Sequence, residues 1–172
     1  MGLNVIQGAR LLNATKIIAV DVNEGALEFS TQFGATHTVN PTVQDPVETI
    51  KSITYGLGAD YTFEAFGSSD TVLTAYNSVR KGGTVVVVGI APIGDDAPIS
   101  LAAMVRYERT IKGSYYGSSR PATDMPTMVE LYHSGKIDID GLIMSQYRLD
   151  DINRAYEDME NGRVGRGVIT QF

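Results

Sequence analysis

The stretch Lys16-Ile17-Ile18-Ala19-Val20-Asp21 is an apolar run that ends in a single acid. A segment with apolar residues at helical spacing precedes this run and begins at Gly2. In a dinucleotide-binding βαβ unit, a helix follows a glycine-rich turn, and the next strand ends in an acid that binds the cofactor ribose. The stretch therefore predicts the middle of such a unit, with Asp21 as the ribose ligand.

The spacing between Gly2 and Asp21 supports this interpretation. Asp21 lies 19 residues after Gly2, and the acid usually follows the glycine turn by about 20 residues. Only Met1 precedes Gly2, so two of the three glycines of a Gly-x-Gly-x-x-Gly turn have no counterpart here. We therefore expect a sheet that lacks its first strand. The other interpretation of Asp21 is a loop or helix-capping acid, a role for which Asn23 competes.

Apolar strands and helix-length segments alternate along the first part of the chain. Helices are predicted at residues 2–13, 23–33, 46–55, 70–79 and 101–107, and strands at 16–21, 36–40, 60–65, 84–88 and 110–115. Val85 to Val88 are four consecutive valines with no polar face. That strand is therefore predicted to be buried on both sides, as in a parallel sheet covered by helices. The alternation predicts an α/β fold with a Rossmann-like, doubly wound parallel sheet.

The remaining residues predict a C-terminal α+β tail. Gly117 to Pro121 indicates a break between a truncated NAD-binding domain at 1–116 and a segment at 117–172. The tail is predicted to contain a helix at 124–133, an extended piece at 142–149, a helix from an Asp150 cap to Glu160, and a strand at 166–172.

Composition excludes several classes of function. The formal net charge is −6 and the sequence pI is about 4.8, which argues against nucleic acid or an anionic membrane as a partner. No apolar run approaches the roughly 18 residues of a membrane span. The chain has no cysteine, so it has no disulfide and no thiolate metal site, and we expect a cytoplasmic location.

Other candidate motifs predict ordinary structural roles. Tyr132 and Lys136 have the Tyr-x-x-x-Lys spacing of short-chain dehydrogenases, but Gly135 between them marks a helix end, where a lysine is favoured anyway. His37 and His133 are isolated, and a metal site needs three or four converging ligands. Asp95-Asp96 is interpreted as a solvated turn and Asp150-Asp151 as a cap. We therefore predict no catalytic and no metal-binding residue in this chain.

A series of ordered motifs resembles the zinc-dependent medium-chain alcohol dehydrogenases, most closely their bacterial class III-like, S-(hydroxymethyl)glutathione dehydrogenase-like branch. These motifs are residues 17–21 (IIAVD), 33–41 (FGATHTVNP), 58–61 (GADY), 63–65 (FEA), 82–89 (GGTVVVVG), 112–117 (KGSYYG) and the ending at 163–172. The resemblance implies an NAD-binding Rossmann domain followed by a segment that completes the catalytic domain. It also implies hydride transfer between NAD and a primary alcohol, an aldehyde or hydroxymethylglutathione.

The resemblance implies a role for particular residues of this chain. A glycine of the phosphate-binding turn matches Gly2, and the ribose acid matches Asp21. The other cofactor-binding positions are backbone near the nicotinamide at Val88, Gly89 and Ile90, carboxamide contacts at Ser114 and Tyr116, and a pyrophosphate-binding arginine at Arg166. A lysine that contacts the ribose in part of the family falls at Ala26, so that contact is expected to be lost.

The family's first strand and its N-terminal domain with cysteine and histidine zinc ligands have no counterpart here. We therefore expect NAD binding to be weak or absent, zinc only in a full-length relative, and a chain that is catalytically incomplete alone. One alternative is a non-catalytic binding or interaction module; another is a methyltransferase, which also holds a ribose by an acid after its second strand.

The missing strand predicts one of two repairs. Either 16–21 and 60–65 pair directly, or another segment, for example from a second chain, fills the gap. We therefore expect a homo-oligomer, and a separate N-terminal catalytic domain is a further expected partner. The exposed edge at 110–115 and the apolar residues Leu142, Ile143, Met144 and Val168 are expected to need cover.

Overall fold

The computed structural model describes residues 1–172 as a mixed α/β protein. The helices are α1 (Gly2–Leu11), α2 (Glu24–Gln32), α3 (Pro46–Ile53), α4 (Ser69–Ser78), α5 (Leu101–Arg106), α6 (Pro121–His133) and α7 (Ile152–Glu160). The strands are β1 (Ile18–Val20), β2 (His37–Val39), β3 (Ala59–Glu64), β4 (Val79–Val87), β5 (Thr110–Gly113), β6 (Ile143–Arg148) and β7 (Arg166–Gln171). Each predicted helix and strand is present, although several bounds differ.

The chain forms two compact units, each assembled from two stretches of sequence. The first unit contains Met1–Val5 and Val39–Arg120, and the second contains Ile6–Thr38 and Pro121–Phe172. The predicted boundary between residues 116 and 117 concerns the domains of the resembling family and stays a prediction.

The first unit is built on a sheet of three parallel strands in the order β3-β4-β5. Helix α4 connects β3 to β4 and packs against both strands, as expected for a crossover between parallel neighbours. The centre of the core is formed by Tyr76 of α4 with Val79 and Val85 of β4. Because all three strands are parallel, their carboxyl ends lie at one edge of the sheet, where ligands bind in open α/β sheets.

Strand β4 differs from its prediction in length and in burial. It begins at Val79 rather than residue 84 and passes through two glycines. Val85 is 0% exposed, but Val86, Val87 and Val88 are only half-buried. On the neighbouring β3, Tyr61 is 63% and Phe63 47% exposed. The prediction that the strand at 84–88 is buried on both sides is therefore wrong. Side chains alternate along a strand, and the buried positions are those on the side of the Tyr76 cluster.

The second unit contains two small sheets. β1 pairs with β2, and β6 pairs in parallel with β7. β1 and β3 belong to different sheets, so the direct pairing offered as one repair of the missing strand is not found. Leu142 is buried, and Ile143 and Val168 are half-buried, so the prediction that all four apolar tail residues need cover holds only for the exposed Met144.

Helix ends agree with the sequence at α2 and differ at α7. The Asn23 side chain caps α2 by accepting a hydrogen bond from the Ala26 N–H at 3.1 Å. Asp150 was predicted to cap the last helix, but it lies in a short 3-10 turn at Leu149–Asp151. α7 begins only at Ile152, and no side chain caps it. Asp150 and Asp151 could each precede the first residue of the helix. The 3-10 turn after β6 includes both acids, so α7 begins after the second one.

Candidate functional site

The predicted cofactor-binding residues are divided between the two units. Gly2, Val88, Gly89, Ile90, Ser114 and Tyr116 belong to the first unit, whereas Asp21 and Arg166 belong to the second. Their roles in cofactor binding stay predictions.

In the first unit, the structure brings Val88, Gly89 and Ser114 to the carboxyl edge of the three-stranded sheet. The Ser114 N–H donates to the carbonyl of Val87 at 2.9 Å, directly beyond the last paired residues of β4 and β5. The N–H groups of Val88 and Gly89 both donate to the carbonyl of Glu64, at 2.8 and 3.1 Å. Two of the predicted backbone segments, after β4 and after β5, are therefore neighbours.

Tyr116 and Gly2 are exposed but differ in backbone constraint. Tyr116 has a φ of +49° and belongs to a turn at Tyr115–Ser118. Its ring meets the Tyr115 ring edge to face, with 4.6 Å between the centroids. A Cβ added at Gly2 would meet nothing within 4 Å, so the described residues give no steric reason for a glycine there.

Sequence reasoning missed the side chain that organises the turn after β3. The Glu64 carboxylate is 3% exposed, and its Oε1 accepts from the N–H groups of Phe66 and Gly67 at 2.8 and 2.7 Å. The Thr71 hydroxyl donates to the same oxygen at 2.9 Å. The available signal was an acid at the end of an apolar strand, three residues before a glycine. An acid in such a place must find donors or be left unpaired in the interior.

In the second unit, Asp21 follows β1 directly and is exposed. Its Oδ1 accepts from the Asn23 N–H at 2.9 Å, while Asn23 rather than Asp21 caps α2. The competition between these two residues for the cap is thereby resolved, and the Asp21 carboxylate stays open to solvent at a strand end. A carboxylate in that position can accept hydrogen bonds from two ribose hydroxyls.

The loop before Arg166 contacts the start of α2. The Asn23 side chain donates to the carbonyl of Gly162 at 3.2 Å, and a Cβ added at Gly25 would lie 3.4 Å from Val164 Cγ2. Arg166 is the first residue of β7, is exposed, and takes part in no described ion pair. The second unit thus places a free guanidinium shortly after a loop that touches the Asp21-bearing segment.

The rejected Tyr132–Lys136 motif has a structural explanation. The Tyr132 hydroxyl donates to Asp140 Oδ2 at 2.6 Å. This hydrogen bond, and then the charge of Asp140, raises the pKa of Tyr132. A catalytic tyrosine of that motif needs the opposite shift, so the geometry agrees with a structural role.

Asp95 is less free than predicted. Its Oδ2 accepts from the Ser69 N–H at 3.0 Å, and hydrogen bonds from the side chain and backbone of Ser69 lower the pKa of Asp95. The Asp95 N–H donates to the carbonyl of Pro92 at 3.1 Å, so the predicted turn is present; its side chain is half-buried rather than fully solvated. An acid near the first turn of α4 is stabilised by the free N–H groups and the helix dipole.

A further ionised cluster stabilises the tail. The Tyr147 hydroxyl donates to Asp158 Oδ2 at 2.6 Å, and the Arg163 guanidinium contacts the same oxygen at 2.8 Å. The hydrogen bond from Tyr147, followed by the charge of Arg163, lowers the pKa of Asp158. The cluster joins β6 to α7 and to the loop that precedes β7.

The described residues contain no group of three or more His, Cys, Asp or Glu side chains that could hold a metal ion. They therefore do not fit the zinc site of the resembling family. No helix combines the length and the apolar character that crossing a lipid bilayer requires.

Comparison with known sequences identifies the family. The profile of zinc-binding dehydrogenases matches residues 1–134. The chain is 37% identical over 175 residues to an S-(hydroxymethyl)glutathione dehydrogenase of Komagataella pastoris, covering 99% of this chain and 46% of that protein. It is 33% identical over 172 residues to an NDMA-dependent alcohol dehydrogenase of Amycolatopsis methanolica, covering 98% and 46%. The chain thus spans about half the length of the curated relatives it matches.

Solved structures give the same result at the level of the fold. Benzyl alcohol dehydrogenase from Acinetobacter calcoaceticus superposes with a TM-score of 0.93 at 34% identity, over 98% of this chain and 47% of that one. The alcohol dehydrogenase TADH from Thermus sp. ATN1 superposes with a TM-score of 0.89 at 25% identity, over 98% and 48%. The predicted Rossmann-like fold and the predicted resemblance are both confirmed. This chain belongs to the zinc-binding dehydrogenase family and corresponds to the C-terminal part of its alcohol dehydrogenases.

Proposed function

We propose that these 172 residues form the NAD-binding portion of an alcohol dehydrogenase. The observation that carries the proposal is the exposed Asp21 carboxylate directly after β1, in a chain whose family consists of dehydrogenases. The relatives' names suggest an alcohol or S-(hydroxymethyl)glutathione as the substrate of the whole protein.

Each predicted residue has a proposed contact with NAD. Asp21 accepts hydrogen bonds from the adenosine ribose, and Gly2, at the start of α1, together with Arg166 faces the pyrophosphate. Backbone at Val88, Gly89 and Ile90 lies along the nicotinamide. Ser114 and Tyr116 contact its carboxamide. The support for the last two contacts is that Val88, Gly89 and Ser114 lie at the carboxyl edge of the parallel sheet.

Bound NAD supplies the hydride acceptor, and the residues of this chain bind and orient it. None of them is proposed to be catalytic. A zinc ion that acts as a Lewis acid on the alcohol needs ligands that these residues do not provide. We therefore propose that a separate catalytic domain supplies the zinc ligands.

We also propose that the protein is a homo-oligomer. β5 is an edge strand of its sheet, and the segment before it exposes four large apolar side chains, Ile90, Ile93, Leu101 and Val105. Light scattering on the purified chain tests the proposal, and a clean monomer at micromolar concentration contradicts it.

Calorimetric titration with NADH, NADPH and S-adenosylmethionine tests the cofactor assignment. We expect NADH to bind more tightly than NADPH, because the 2′-phosphate of NADPH would meet the negative charge of Asp21. Asp21→Ala should weaken NADH binding by about tenfold or more, since hydrogen bonds to a charged group contribute roughly 1.5–3 kcal/mol each. Equal affinity for both cofactors would contradict the ribose role.

The same titration separates the two alternatives. Binding of S-adenosylmethionine without NADH would favour a methyltransferase, which the family match along residues 1–134 argues against. Binding of neither ligand would favour a non-catalytic interaction module. The matched control is Asp96→Ala, because Asp96 is an exposed acid elsewhere on the surface; it should leave NADH binding unchanged.

A further inference from the structure

Glu64 is an acid held inside the first unit without a cationic partner. Its side chain is 3% exposed, and it takes no part in the ion pairs Lys51–Glu48, Arg80–Asp60 and Arg163–Asp158. Three donors converge on Oε1, from the N–H groups of Phe66 and Gly67 and the hydroxyl of Thr71. Charge-assisted hydrogen bonds of this kind are stronger than neutral ones. The carboxylate therefore fixes the turn that directly follows its own strand.

That turn is in close backbone contact with the segment after β4. A Cβ added at Gly67, whose φ is +99°, would lie 2.6 Å from the carbonyl oxygen of Ile90. A Cβ added at Gly89 would overlap the Gly67 nitrogen and lie 2.7 Å from Glu64 Oε2. The Val88 and Gly89 N–H groups in turn bond to the Glu64 carbonyl. A displacement of the turn at 66–67 must therefore move residues 88–90.

The second carboxylate oxygen, Oε2, is buried and has no hydrogen-bond partner. Such an oxygen has a desolvation cost that folding does not recover. An apolar residue at this position would leave the Phe66 and Gly67 N–H groups without their acceptor, which also costs free energy. What the side chain contributes is therefore the set of three hydrogen bonds to Oε1, which hold the turn beside the proposed cofactor segment.

We infer that Glu64 is a positioning residue, which holds the backbone of Gly89 and Ile90 through the Phe66–Gly67 turn. The inference deepens the proposed function and rests on it only where it concerns the nicotinamide. In the proposed function residues 88–90 offer backbone groups to the nicotinamide ring, and a misplacement of about 1 Å at such a site can cost about a hundredfold in rate. Glu64 itself touches neither substrate nor cofactor in this assignment.

The positioning is tested without cofactor, by amide hydrogen exchange on the intact chain. Glu64→Ala should accelerate exchange at the Val88 and Gly89 amides by about tenfold or more, although their own acceptor, a main-chain carbonyl, is retained. Glu64→Gln keeps one oxygen for the turn and should give a smaller acceleration at the same amides. If Glu64→Ala does not fold, the exchange rates of the Val88 and Gly89 amides in Glu64→Gln test the inference by themselves.

The matched control is Val85→Ala, a core variant of the same unit whose side chain packs with Tyr76 and Val79. It should lower stability without selective acceleration at Val88 and Gly89. Wild-type exchange at these amides in the foldable Glu64 variants would overturn the inference. An acceleration that Val85→Ala reproduces equally would also overturn it, because a general loss of stability would then explain the result.

The consequence for the cofactor is tested by titrating NADH and ADP-ribose in parallel. ADP-ribose lacks the nicotinamide, so Glu64→Ala should weaken NADH binding by about tenfold and change ADP-ribose binding by less than about twofold. Equal losses for both ligands would overturn the nicotinamide part of the inference. If the wild-type chain binds neither ligand, the proposed function fails, while the exchange result still decides whether Glu64 positions residues 88–90.

Discussion

The two parts of the proposed cofactor site differ in the atoms they offer. In the first unit, the groups at 88–90 and 114 are main-chain atoms at the end of a parallel sheet, fixed by hydrogen bonds and by glycines that admit no Cβ. In the second unit, the groups are the exposed side chains of Asp21 and Arg166. Backbone groups in a site are held by the same contacts that stabilise the fold. Exposed side chains can be replaced with little effect on the free energy of unfolding.

This difference predicts how substitutions should behave. Changes near Gly89 should alter stability and binding together, because the same contacts serve both. Changes at Arg166 should alter binding alone, since exposed charges contribute little to folding. Changes at Asp21 should alter mainly binding, with a small loss of stability because the Asn23 N–H loses its acceptor.

The largest expected effect is that of Gly89→Ala. The new Cβ would overlap the Gly67 nitrogen and lie 2.7 Å from Glu64 Oε2, so the free energy of unfolding should fall by about 1–3 kcal/mol. Unfolding in urea measures this change in the free energy of unfolding. Gly113→Ala is the control, because its Cβ would meet nothing within 4 Å. A similar loss of stability in Gly89→Ala and Gly113→Ala would show that the close contacts around Gly89 do not determine the effect.

Asn23→Ala should have the next largest effect. It removes the acceptor for the Ala26 N–H and the donor to the Gly162 carbonyl, and loss of an N-cap costs about 1 kcal/mol. Asn23→Asp keeps the capping oxygen and removes only the donor, so thermal unfolding of the pair separates the two bonds. If Asn23→Asp is as unstable as Asn23→Ala, the contact with the loop at 162 outweighs the cap.

Acid should weaken the second unit through Asp158. Its pKa is lowered in the folded chain by the Tyr147 hydroxyl and then by Arg163. The contribution is therefore complete above the ordinary value of 3.8 and is lost as the pH falls through the lower folded value. Unfolding monitored from about pH 5 to pH 2 should show a shallower acid dependence in Tyr147→Phe than in the wild type. Identical slopes would show that the Tyr147 hydrogen bond does not contribute to the acid sensitivity.

The smallest effect on stability is expected for Arg166→Gln. This exposed side chain takes part in no ion pair of the structure, so the free energy of unfolding should change by less than about 0.5 kcal/mol. NADH binding should nevertheless weaken by about tenfold, because a phosphate-binding charge is lost. A destabilised variant would show that Arg166 has a structural role and would remove the contrast with Gly89.

The sequence predicted the family and the order of the elements, and both are confirmed. It also singled out Asp21 as the ribose ligand, which stays a prediction, while Asn23, weighed against Asp21 as the helix cap, is the residue that caps α2. Glu64 was not singled out, because an acid after a strand looks the same in sequence whether it faces solvent or the interior. Its partners on residues 66, 67 and 71 exist only once the turn has formed.

What the sequence determined by itself is local: the periodicity of each segment, the glycine at each sharp turn, and the ordered motifs that identify the family. What the tertiary structure decided is which groups are brought together across long stretches of chain. The half-covered face of β3 and β4, the absence of a β1–β3 pair and the contact between Gly67 and Gly89 all depend on packing. The physical reason is that burial and close approach are properties of neighbours in space, and hydrophobic periodicity specifies only that a face is covered, not by which element.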